Sequence, residues 1–111
     1  WISMVGTTDI SAWPFARFDK PFWEAPTNWL DRSTIMRTGY IKTPTLFMTG
    51  VLDIRTPMAQ TEEMYIALKE AGVDTVLVRM NEEWHGTGRR KPTNWFRTYG
   101  YLSEWYEKYS E

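Results

Sequence analysis

The pattern of apolar and polar positions changes character at Pro44. Before it the apolar residues keep no regular period. Gly6-Thr7-Thr8, Trp13-Pro14, Lys20-Pro21 and Ala25-Pro26 interrupt the stretch, so only short helical pieces around residues 22–25 and 28–36 are predicted. After it the pattern becomes regular. Residues 45–49 form a short apolar run with a proline just before and Gly50 just after, which predicts a strand buried on both faces of a parallel sheet. Thr56 is placed to cap a helix with Pro57 at its first position, and Thr61, Met64, Tyr65 and Leu68 make a 3–4-spaced stripe that Gly72 ends. Residues 73–79 then predict a second strand. Strand, helix and strand with short connections make a βαβ unit, whose strands are parallel and whose crossover is right-handed. Further on, Trp95, Tyr99, Leu102, Tyr106 and Tyr109 recur at spacings of 4, 3, 4 and 3, predicting a final amphipathic helix packed on one sheet face. Pro26-Thr27-Asn28-Trp29-Leu30 and Pro92-Thr93-Asn94-Trp95-Phe96 nearly repeat, but proline, a Thr/Asn cap and a large apolar residue are simply a good helix start, and nothing around the two copies matches.

The fold class is therefore α/β, and composition narrows what it can do. At 111 residues the chain is one domain or less. It starts at Trp1 and shows no basic stretch followed by an apolar run, so neither a signal peptide nor a membrane span is expected, and the chain reads as part of a longer protein. Thirteen Lys and Arg against fourteen Asp and Glu leave a formal net charge of -1, which predicts no attraction to nucleic acid or to an anionic membrane. No cysteine is present, which excludes disulfides, thiolate catalysis and cysteine-zinc sites while leaving the compartment undetermined. A single histidine argues against a histidine-built metal site, and no cofactor is called for. Aromatic residues make up 16% of the chain, enough to predict an ordered protein. Several of these rings precede Pro44, where no regular element buries them, so exposed apolar area is expected if the segment stands alone.

Two residues carry candidate chemistry. Asp53 follows the first predicted strand and His85 follows the second, in Asn81-Glu82-Glu83-Trp84-His85-Gly86. The parallel arrangement sends both to the carboxyl-terminal edge of the sheet, where open α/β sheets place ligands. Taken alone, one acid after a strand and one histidine in a loop fit either an acid-base pair or an ordinary surface histidine.

The surrounding residues are more specific. Gly50, Asp53-Ile54-Arg55-Thr56-Pro57, Gln60, Glu62-Glu63, Gly72-Val73 and Glu82-Glu83-Trp84-His85-Gly86 resemble the end of the catalytic domain of the prolyl oligopeptidase family of serine peptidases, its acylaminoacyl-peptidase and dipeptidyl-peptidase branches in particular. The resemblance covers about residues 43–90. It implies the C-terminal portion of an α/β-hydrolase fold, incomplete without upstream chain, in which nucleophile, acid and histidine follow one another in that order. Asp53 before His85 obeys the order, with one strand-helix-strand unit between them. It further implies that Asp53 holds the imidazole of His85 while the histidine shuttles the proton of a serine. Of Ser3, Ser11 and Ser33, none stands in a Gly-x-Ser-x-Gly elbow, so the serine and its oxyanion hole are expected in upstream chain, along with the β-propeller such peptidases usually carry. Trp1 and Met4 fall where side chains lining the substrate pocket occur. Arg55 is read as a structural charge, Glu82 and Glu83 as solvated loop acids, and Arg89-Arg90-Lys91 as a solvated basic turn.

These implications divide the chain into a connecting and pocket segment, residues 1–43, and a unit of βαβ, histidine loop and final helix, residues 44–111. The leading expectation is part of a serine peptidase that cleaves short peptides or acylated amino-terminal residues through an acyl-enzyme. A peptide substrate and the upstream part of the catalytic domain are its partners, oligomerisation is left open, and the 111 residues alone are expected to be inactive. Two alternatives stand beside it. One is an esterase or dienelactone-type hydrolase, against which the Asp-x-Arg-Thr-Pro and Glu-Glu-x-His-Gly details argue; the other is a non-catalytic interaction module of the same fold.

Overall fold

Two parallel strands, β1 (Thr45–Gly50) and β2 (Thr75–Met80), pair residue for residue from Thr45↔Thr75 to Gly50↔Met80. In this computed structural model the described residues are Lys20, residues 23–54 and residues 56–110; Trp1, Met4 and Arg55 lie outside them. In chain order the elements are α1 (Pro26–Arg32), a 3₁₀ helix (Thr34–Tyr40), β1, α2 (Met58–Glu70), β2 and α3 (Pro92–Tyr109).

The strand-helix-strand unit is the one the sequence predicts, and its ends show why. Gly72 at φ +75 lets its N–H reach the carbonyl of Lys69 while the N–H of Val73 returns to Leu68, 2.9 Å away. Those bonds satisfy the last carbonyls of α2 and spend the amide of Val73, so β2 starts at Thr75 rather than at residue 73. Thr75 then anchors the ladder, its buried hydroxyl donating to the carbonyl of Thr45 at 2.6 Å.

Phe47 from β1, Met64 and Leu68 from α2, and Val73 form the core, with Ile35, Ile41, Tyr65 and Leu77 packed around it. Met64 and Leu68 are fully buried, which makes each worth roughly 2–5 kcal/mol against truncation to alanine. Among the described residues the sheet is fully covered on this face and half-covered on the other. Phe47 and Thr49 are buried, whereas Leu46 and Met48 on the opposite face are half-buried, so burial of β1 on both faces does not hold among the described residues.

Three further expectations change. Residues 23 and 24 form a turn, and the helix expected over residues 28–36 is split at Ser33. The buried Ser33 hydroxyl donates to the carbonyl of Trp29 at 2.7 Å, and its extended backbone (ψ 121) ends α1 and restarts the chain as a 3₁₀ helix. Neither α1 nor α3 is capped by a Thr or Asn side chain: Pro26 and Pro92 sit in the first turn, and the cap residues are Ala25 and Lys91. The third concerns the aromatic stripe of α3, most of which faces outward. Trp95, Tyr99 and Tyr106 are about half exposed or more, and of the stripe Leu102 is partly covered, together with Asn94, Thr98 and Trp105 from outside it. Trp95 packs on its helix neighbours Phe96 and Tyr99, at centroid distances of 5.3 and 4.5 Å. At its far end α3 is tied to the chain before β2 by Lys108 and Tyr109, both bonded to Asp74. These bonds hold the Asp74 carboxyl below its usual range and raise Lys108. No helix of the described residues is long and apolar enough to cross a membrane.

Candidate active site

The site begins where the sheet ends. Gly50 and Met80 are the last paired residues, and the ladder continues past them into the two loops: Val51 N–H donates to Met80 at 3.1 Å, and Leu52 N–H donates to Glu83 at 2.9 Å. The acid-bearing turn and the histidine loop are thereby bonded backbone to backbone. Only glycine permits the approach. A Cβ on Gly50 would stand 2.1 Å from the carbonyl oxygen of Trp84 and 2.4 Å from that of Glu83.

Held this way, Asp53 and His85 meet. Asp53 is buried, its N–H bonded back to the carbonyl of Gly50 at 3.1 Å, and its Oδ2 lies 2.9 Å from Nδ1 of His85. The imidazole is open by contrast, its side chain 53% exposed against 5% for that of the aspartate. A buried acid backs a base whose other face is accessible. The carboxylate is also gripped from its own turn: Thr56 N–H donates to Oδ1 at 3.0 Å, and the Thr56 hydroxyl donates to Oδ2 at 2.7 Å. The same hydroxyl oxygen is 3.1 Å from His85 Nδ1. Thr56 is thus not the cap of α2; that helix begins at Met58 with Pro57 in the cap position, and the threonine side chain is spent on the acid.

Glu83 corrects the sequence reading more sharply. It is not a solvated loop acid but fully buried, two residues from His85. Its carboxylate accepts from Asn94 Nδ2 at 3.0 Å and from the backbone N–H groups of Arg90 and Lys91 at 3.1 and 3.2 Å. Asn94 spans on to the carbonyl of Asn81. One carboxylate therefore closes the loop carrying His85 and satisfies the amides that lead into α3. Burial pushes the Glu83 carboxyl up, but the hydrogen bonds from Asn94 and from the amides of Arg90, Lys91 and Gly88 outweigh it and leave the group below its usual value. Glu82 does match its reading. It sits in the left-handed region at φ 61, exposed, and its bond to Lys91 lowers its carboxyl. The Arg89 and Arg90 side chains are exposed as expected.

Of the sequence-designated residues, then, Asp53 and His85 come together, while Trp1 and Met4 fall outside the described residues. Thr56 reads as a helix cap and Glu83 as a solvated acid from the sequence, whereas the folded chain binds Thr56 to Asp53 and buries Glu83. The signal for Glu83 was available only as its offset of 11 from Asn94, which has no meaning until loop and helix are in place.

Known proteins share this fold and parts of this sequence. The solved structure of an acylaminoacyl peptidase from Pyrococcus horikoshii superposes with a TM-score of 0.72 over 92% of this chain and 20% of that one, at 22% identity, a likeness of fold. The fold is accordingly that of an α/β-hydrolase, of which this chain carries a portion. A crystal structure of puromycin hydrolase matches at a TM-score of 0.54 and 28% identity, over 59% of this chain and 10% of that one. By sequence, acylamino-acid-releasing enzyme 1 of Oryza sativa is 30% identical over 96% of this chain, and the uncharacterized peptidase YuxL of Bacillus subtilis is 31% identical over 98%. The chain spans only 15% and 17% of the lengths of those two relatives. The sequence profile of the prolyl oligopeptidase family matches residues 1–111 throughout, and the chain belongs to that family.

Proposed function

We propose that this chain supplies the acid and the base of a serine-peptidase triad, Asp53 and His85, to a nucleophilic serine carried elsewhere in a longer polypeptide. The observation that carries the reading is the 2.9 Å contact between a buried aspartate and an exposed imidazole at the carboxyl edge of a parallel sheet. The names of the relatives support the substrate class: short peptides, or peptides with an acylated amino-terminal residue.

In this reading Nε2 of His85 takes the serine proton as the hydroxyl attacks the scissile carbonyl, then returns it to the leaving amine; water repeats the cycle on the acyl-enzyme. Asp53 stays ionised, orients the ring through Nδ1–H and stabilises the imidazolium. Residues 44–111 carry both groups, and residues 1–43 belong to the connecting and pocket segment.

The test is steady-state hydrolysis of an acetyl-amino-acid p-nitroanilide by the full-length protein carrying this segment. His85→Ala and Asp53→Asn are each expected to lower kcat by about 10⁴-fold with unchanged circular dichroism. Wild-type turnover in either folded variant rejects that residue's assignment.

A further inference from the structure

We propose that Thr56 is a positioning residue whose hydroxyl sets the proton placement of the Asp53–His85 pair. The proposal rests on the triad reading above and goes one step beyond it.

The argument is one of counting protons. A threonine hydroxyl has one hydrogen to give and lone pairs to receive with. Its two neighbours here are Asp53 Oδ2 at 2.7 Å and His85 Nδ1 at 3.1 Å. An ionised carboxylate only accepts, so the hydroxyl hydrogen is committed to Asp53. The threonine oxygen then turns lone-pair density toward Nδ1, as does Oδ2 at 2.9 Å. Both contacts are favourable only when Nδ1 carries the hydrogen, which is then shared between two oxygens. The neutral ring is held in the tautomer whose Nε2 is free to accept a proton. Together with Thr56 N–H on Oδ1, a single residue holds the carboxylate at both oxygens and fixes the polarity of the imidazole.

Shape and hydrogen bonding separate cleanly at this position. Valine keeps the branched shape and deletes the hydroxyl; serine keeps the hydroxyl and deletes the methyl. In the full-length protein, Thr56→Val is expected to lower kcat about tenfold with KM within about twofold, the scale of one charge-assisted hydrogen bond. It is also expected to broaden the low-field proton resonance of His85 Nδ1–H, identified by its disappearance in His85→Ala. Thr56→Ser should restore both. Wild-type kcat and resonance in Thr56→Val, or equal impairment in Thr56→Ser, overturns the proposal. If Asp53→Asn and His85→Ala retain turnover, the triad reading itself falls and this one with it; if they lose turnover while Thr56→Val does not, only the role of Thr56 falls. Thr56→Ala replaces valine should that side chain not be accommodated. Failure of Thr56→Ala to fold, where Thr56→Ser folds normally, gives the hydroxyl a purely structural role and likewise overturns the proposal.

Discussion

Adding one methyl group at Gly50 is expected to disable the site without touching either of its titratable residues. An alanine Cβ there would lie 2.1 Å from the carbonyl oxygen of Trp84, 2.4 Å from that of Glu83 and 2.6 Å from the Glu83 carbonyl carbon. All three are backbone atoms, so no side chain can rotate out of the way. Real contacts of this kind do not fall below 3.0 Å, so the histidine loop must retreat by about 0.9 Å from the end of β1. Trp84 directly precedes His85. A matching retreat of the imidazole stretches its bond to Asp53 from 2.9 to about 3.8 Å, past the ~3.2 Å limit of a useful hydrogen bond. The Leu52–Glu83 backbone bond, now 2.9 Å, opens in the same movement. Misplacement of a catalytic group by about 1 Å costs on the order of 10²-fold in rate, and overpacking of this kind about 1–3 kcal/mol in stability. Gly50→Ala in the full-length protein should therefore lose about 10²-fold in kcat/KM. Urea unfolding run alongside verifies that the protein remains folded at the assay temperature. A folded Gly50→Ala enzyme with wild-type kcat/KM would falsify the claim that this backbone approach sets the Asp53–His85 distance.

Glu83→Gln should destabilise the protein by about 1–3 kcal/mol in urea unfolding, because an amide NH₂ now faces donors that the carboxylate satisfied. The difference between wild type and this variant should shrink in acid. A folded-state carboxyl held below its ordinary value of about 4.5 contributes stability that is present above that pH and is lost as pH falls through the lower folded value. A gap unchanged down to strongly acid pH would contradict the buried, hydrogen-bonded carboxylate. Residues 1–111 expressed by themselves should take up no serine-directed phosphonate, since none of the serines preceding Asp53 sits in a nucleophile elbow. Stoichiometric labelling of one serine, read by mass spectrometry, would refute the division of the triad between this segment and the rest.

Local information was sufficient for the strand-helix-strand unit. A short apolar run flanked by proline and glycine, a stripe at 3–4 spacing and a glycine stop each describe an element by its own neighbours, and together they require both loops to leave one edge of the sheet. That is why Asp53 and His85 are legible as a pair from spacing alone. The resemblance of the residues around them pointed to the family.

What the sequence could not carry depends on groups that meet only after folding. Thr56 next to Pro57 satisfies every local rule for a helix cap, but a neighbouring buried carboxylate competes for its hydroxyl and wins. Glu83 looks solvated beside Glu82, yet N–H donors of Gly88, Arg90, Lys91 and Asn94 converge on it, offsetting the cost of burial. The period of α3 correctly predicts a helix. It does not say which side is covered: that is settled by the azimuth at which Asn94 meets Glu83, and it leaves Trp95, Tyr99 and Tyr106 facing outward among the described residues. Sequence by itself determined the strand-helix-strand unit, the final helix, their order and the meeting of Asp53 with His85, because those are properties of spacing. The tertiary structure alone decided which polar groups hold them in place, because a hydrogen bond between loops depends on the approach of two backbones, here made close enough by the missing side chain of Gly50.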